Sequence, residues 1–104
     1  MSAAIVQINF DIEVTEDEMS RAATDKAPLF NGVDGLLWKI WLVNEDEGSS
    51  GGIYLFRDRA SAEAYAGGDL VTQLRQQRPN VSVSVFDIME QPSRITRAPL
   101  PSGK

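Results

Sequence analysis

Residues 35–43, Gly-Leu-Leu-Trp-Lys-Ile-Trp-Leu-Val, constrain the fold more than any other part of the chain. They lie between Asp34 and an acidic run, are too few for a buried helix and are rich in β-formers, so they read as a strand. Leu36, Trp38, Ile40 and Leu42 share one parity, and Leu37, Lys39, Trp41 and Val43 share the other. Side chains alternate across a strand, so both faces are apolar and both need cover. Trp38 and Trp41 are expected on opposite sides of the sheet.

The flanking sequence supplies the rest of that sheet and its helices. In residues 4–12, Val6, Ile8, Phe10 and Ile12 alternate with Gln7, Asn9 and Asp11, which predicts a strand with one apolar face. Thr15 and Glu18 have capping-box spacing, and Glu16, Asp17 and Glu18 suit the positive end of a helix dipole. Met19, Ala22, Ala23 and Ala27 then share one helical face, and Pro28 is expected to kink or shorten that helix. Residues 44–52 read as an acidic, then Gly/Ser-rich loop, and residues 53–57 as the second strand of a hairpin. Asp58 caps an alanine-rich helix that carries Tyr65 and breaks at Gly67-Gly68. Asp69 starts a further turn or two with Leu70, Val71 and Leu74 inward, ending at Pro79-Asn80. Residues 81–88 alternate as a last strand. Residues 89–104 hold three prolines and read as an extended C-terminal arm, frayed from Pro101 to Lys104.

Strand, helix, strand, strand, helix, strand is the ferredoxin-like split βαβ order. The expectation is one α+β domain over residues 1–104, with a four-stranded antiparallel sheet. Helices on such a sheet cover one face. The other would be an unusually large apolar patch unless a second copy covered it, so a homodimer is expected.

Composition narrows the function. The 104 residues suit a single domain. A net charge of −5 and scattered arginines argue against a nucleic-acid partner. No apolar run reaches the ~20 residues of a membrane span, and residues 1–10 lack the basic start of a secretory signal. Cytoplasm is the expected location, with no membrane partner. There is no cysteine, hence no thiol catalysis, disulfide or thiolate metal site. There is also no histidine, the usual general base near neutral pH and the commonest transition-metal ligand. Catalysis would have to use carboxylates, Lys, Arg, Tyr, water or the substrate's own acidity.

Five segments carry a family resemblance. They are Gly35-Leu-Leu-Trp-Lys-Ile-Trp, Gly51-Gly-Ile-Tyr-Leu-Phe-Arg-Asp, Val6-Gln-Ile-Asn-Phe, Ser61-Ala-Glu-Ala-Tyr and Val85-Phe-Asp-Ile-Met-Glu-Gln-Pro-Ser. With these, the chain resembles the YdhR family of proteins assigned as monooxygenases, relatives of the antibiotic-biosynthesis monooxygenases, over residues 5–100. The resemblance implies a dimeric α/β barrel with a pocket between sheet and helices in each subunit. It also implies oxidation of electron-rich polycyclic phenols by O2, with no cofactor and no metal.

Candidate catalytic residues are Trp38, Lys39, Asn9 and Tyr54. An indole could wall an aromatic ligand, the lysine could stabilise a phenolate, and Asn9 or the tyrosine could orient an oxygen. Candidate substrate-binding residues are Trp41, Phe56, Tyr65, Phe10 and Phe86. Each has a plainer reading: core or interface packing for the aromatics, a snorkelling stem for Lys39 and structural hydrogen bonds for Asn9 and Gln7. Arg57 and Arg59 are expected solvated or paired with Asp58 or Glu63, and Glu45, Asp46 and Glu47 as a solvated turn. The 48–52 stretch lacks the Lys-Ser/Thr and helix of a phosphate loop. Arg94 and Arg97 are expected against the partner subunit. The leading function is a cofactor-independent monooxygenase acting on a hydrophobic phenolic or polycyclic aromatic compound, with no obvious general base. The alternatives are a non-catalytic dimeric module that binds a small hydrophobic molecule, and an isomerase or decarboxylase of the same superfold.

Overall fold

A computed structural model describes residues 2–102. The strands are β1 (Ala4–Asp11), β2 (Leu36–Asn44), β3 (Ser49–Phe56) and β4 (Ser82–Asp87). The helices are α1 (Glu16–Phe30), α2 (Arg59–Ala66), α3 (Asp69–Gln77) and α4 (Glu90–Ile95). The strands form one antiparallel sheet in the order β2-β3-β1-β4, the ferredoxin-like arrangement that the segment order predicts.

Strand register sorts the side chains into two faces. On the helix-covered face, Lys39, Tyr54, Val6 and Val85 form one row across all four strands, and Trp41, Gly52, Ile8 and Val83 form the next. Ala4, Val6, Ile8, Tyr54 and Phe56 make the core there, with Ala62 of α2 and Val71 of α3. On the other face, Trp38, Leu55, Ile5 and Phe86 form a row, followed by Ile40, Ile53, Gln7 and Ser84.

Local chemistry explains the helix starts. Thr15 Oγ1 accepts the Glu18 backbone N–H at 3.2 Å, and Asp58 Oδ1 accepts that of Ser61 at 2.8 Å. The Glu16 N–H donates to Glu45 Oε1 at 2.6 Å. Glu45 therefore serves the first turn of α1, while Glu45, Asp46 and Glu47 all remain exposed, as expected of a solvated turn.

Several boundaries differ from the sequence expectation. β3 begins at Ser49, so the expected 44–52 loop shrinks to a turn over residues 45–48, with Gly48 at φ +65°. Glycines that look like loop are strand here, because the backbone of β1 presses close. A Cβ on Gly51 would lie 1.9 Å from the Ile8 carbonyl oxygen. The Ser50 hydroxyl donates to the Leu42 carbonyl at 2.8 Å, which ties the hairpin.

A register shift between Leu36 and Trp38 moves Leu36 to the face of Lys39 and Trp41, where it packs on the core. A bulge of this kind is invisible to strict alternation. Pro28 does not end α1, which runs on to Phe30. Leu70 points outward while Val71 and Leu74 pack inward.

The arm is not wholly extended, since α4 occupies Glu90–Ile95. Pro92 sits in its first turn, where no backbone donor is needed, and Arg94 pairs with Glu90 at 3.2 Å. Arg94 also donates to the Pro101 carbonyl at 2.6 Å, which folds the arm on itself. Arg57 pairs with Asp34 and Asp58, and Arg59 with Glu63 and Asp87. Of the expected frayed end, Gly103 and Lys104 lie outside the described residues. No helix is long and apolar enough to cross a membrane among the described residues.

Candidate functional site

The C-terminal end of α1 and the edge strand β2 enclose an open cleft of about 400 Å3. Thr24, Ala27, Pro28 and Phe30 line it from α1, and Leu36, Lys39 and Trp41 from β2. The sequence builds it from three local choices. The Asn31-Gly32 stop ends α1 just after Phe30, whose ring meets Trp41 edge to face at 5.1 Å. The shift beside Leu37 turns Leu36 inward. Gly52, with no Cβ, leaves room for the Lys39 stem, because a Cβ there would lie 2.9 Å from Lys39 Cε.

Lys39 is the chemical centre of this cluster. Its Nζ lies 3.2 Å from the centroid of the Trp41 ring, 3.8 Å from that of Phe30 and 4.6 Å from that of Tyr54. Burial, with the nearby Lys26 charge adding to it, brings its ammonium down to about 7. The ring faces favour the cation and pull the other way. No carboxylate pairs with Lys39 among the described residues. An amine that titrates near neutrality can take a proton from a weak acid and then hold the resulting anion.

Tyr54 lies behind Lys39 and is almost fully buried. Burial pushes its hydroxyl well above the usual phenol range, and the neighbouring Tyr65 adds to the shift. Burial also raises Tyr65. Both stay neutral phenols at ordinary pH and can donate hydrogen bonds. The Tyr65 ring lies 5.0 Å from that of Tyr54 and 5.4 Å from that of Phe56.

Lys39, Tyr54, Trp41, Phe56 and Tyr65 therefore gather on the helix-covered side. Phe10 shares that face near Arg78, whose guanidinium carbon lies 5.6 Å from its ring centroid. The structure does not bring Asn9 or Phe86 to the cluster, because both point from the opposite face. Trp38 meets the cleft only along the β2 edge, and its indole N–H donates to the Pro99 carbonyl at 2.8 Å. Sequence reading missed Phe30 and Lys26. The available signal was that Phe30 is the one aromatic residue between 16 and 35, set immediately before the helix stop. Among the described residues, no group of three or more His, Cys, Asp or Glu is placed to hold a metal.

Solved structures with the same fold put this geometry in context. A protein of unknown function from Nitrosomonas europaea is 16% identical, with 99% of this chain and 98% of that one covered and a TM-score of 0.68. A mutant form of SnoaB, a cofactor-independent oxygenase from Streptomyces nogalater, is 14% identical, with 86% and 96% covered and a TM-score of 0.63. A protein from Bacillus cereus described as a "putative antibiotic biosynthesis monooxygenase" is 9% identical, with 86% and 95% covered and a TM-score of 0.60. At these identities the likeness is one of fold. No curated protein matches the sequence. The family model described as "Putative mono-oxygenase ydhR" matches residues 5–99, nearly the whole chain, and so the chain belongs to the ydhR family.

Proposed function

We propose that the protein is a cofactor-independent monooxygenase that oxidises a hydrophobic phenolic or polycyclic aromatic compound in the cleft between α1 and β2. The observation that carries this reading is Lys39, an amine near neutral pKa held in a box of Trp41, Phe30 and Tyr54. It supplies the general base that a chain without histidine otherwise lacks. Neutral Lys39 takes a proton from the activated arene, and its ammonium then faces the resulting phenolate or carbanion. That electron-rich anion reduces O2. For an anthrone-type substrate, the ring methylene gives up both hydrogens and becomes a carbonyl. One atom of O2 is retained in that carbonyl, and the other leaves with the two hydrogens as water. The Phe30 and Trp41 rings wall the substrate, with the Tyr54 ring behind Lys39.

A second copy of the chain covers the helix-free face in this reading. Ile40 and Phe86 are half exposed there, beside Leu42, Ile53 and Ile5. Such a contiguous apolar sheet face is characteristic of an interface between subunits.

The test is O2 uptake with an anthrone and a naphthohydroquinone, aerobically and anaerobically. Enzyme-dependent O2 consumption should match product formation, with kcat rising as pH passes about 7. Lys39→Met should lower kcat about 10²–10⁴-fold, the usual contribution of a general base. No enzyme-dependent O2 uptake across the panel would overturn the assignment. Anaerobic turnover would point to an isomerase or decarboxylase using the same base, and Trp quenching without turnover to a binding module.

A further inference from the structure

The charge around the cleft says more about its ligand than the aromatic walls do. The chain carries fifteen acidic residues and three lysines. None of those acids lines the cleft, and one of the three lysines, Lys39, does. Lys39 is inside. Lys26 is exposed on α1 between the lining residues Thr24 and Ala27, near enough for its charge to act on Lys39. Neither lysine forms an ion pair among the described residues. Asp25, next to Lys26, lines a second depression with Asp17, Ser20 and Arg21.

Two like charges close enough to act on each other, neither held in an ion pair, carry a cost that an anionic ligand between them relieves. A positive cleft on a protein of net charge −5 also concentrates anions against the field of the whole molecule. We propose that the cleft selects hydroxylated aromatic acids, with Lys26 receiving the carboxylate at the rim while Lys39 meets the phenol inside. The proposal rests on the cleft being the substrate site, and it makes Lys26 a specificity residue. A neutral polycyclic phenol would satisfy the rings and Lys39 but leave Lys26 without a partner.

Calorimetric titration under anaerobic conditions separates recognition from chemistry. The probes are 3-hydroxy-2-naphthoate and its uncharged carboxamide, at pH 6 in low salt. The acid should bind at least about tenfold more tightly, a modest return for one charge-assisted contact at a partly exposed site. Lys26→Gln should shrink that preference to within about twofold, Lys26→Arg should keep it, and Lys26→Glu should reverse it. Rising salt should weaken the acid more than the amide. Equal binding of the two probes, binding of neither, or an undiminished preference in Lys26→Gln would overturn the inference. Lys26 is on an exposed helix face, so these variants are not at risk of misfolding. Acid-selective binding without O2 uptake would leave this inference standing and sink the oxygenase reading. O2 uptake on neutral phenols without acid preference would do the reverse.

Discussion

The two sides of β2 carry similar residues to different ends. On the helix-covered side, Lys39 and Trp41 meet Phe30 and Tyr54 in a tight aromatic cluster, and burial there lowers the amine. On the other side, Trp38 is tied by one hydrogen bond to the C-terminal arm, and Ile40 stands half exposed. Both tryptophans sit on one nine-residue strand, in equally apolar sequence. What differs is the second layer: helices close one side, and the described chain only partly closes the other. The lesson is that an apolar strand face holds a depressed amine only where a neighbouring element desolvates it.

The largest effect should come from the closed side. Phe56 is fully buried against α2 and the sheet, so Phe56→Ala should cost about 3–5 kcal/mol, read by urea denaturation. A loss below about 1 kcal/mol would break the contrast between the two faces. Next comes the open side. Ile40→Asp combined with Phe86→Asp should convert a dimer into a monomer by light scattering, with the helical circular dichroism kept. Unchanged size would mean that this face has no partner copy.

A smaller effect concerns Lys39. Its value of about 7 in the folded chain lies below the ordinary 10.5. Between the two, the unfolded chain binds more protons, so stability rises with pH. The destabilising contribution is full below about pH 7 and fades toward 10.5. Thermal melts of the parent protein should therefore rise between pH 6 and 9 by more than those of Lys39→Met. Parallel profiles would show that Lys39 is not desolvated, and the comparison would lose its chemical half. Smallest is the α1 cap. Thr15→Ala should cost about 1 kcal/mol without altering ligand binding, since the cap lies at the far end of the helix from Phe30.

The strand and helix order was legible because each segment carries its own period. Residues 4–12 and 81–88 alternate, and residues 15–27 repeat at helical spacing. The 44–52 stretch was misread because glycine signals both loops and close approach, and only the β1 neighbour distinguishes them. Lys39 and Tyr54 were legible as odd groups in apolar strands. Asn9, Phe86 and Trp38 looked similar in sequence, but the sheet sets all three on its other face, and of them Trp38 alone reaches the cleft, along the β2 edge.

The sequence by itself determined the antiparallel α+β sheet, the helix caps and the opposite parity of the two tryptophans, because these depend on neighbours within a few residues. Tertiary structure decided that Trp41 and not Trp38 faces the helices, that Leu36 crosses to the same side, and that Phe30 closes over Lys39. Those outcomes depend on which face α1 covers and on one shift in register beside Leu37. Neither leaves a mark in the local pattern. The desolvation that brings Lys39 close to neutrality exists only once the second layer is in place.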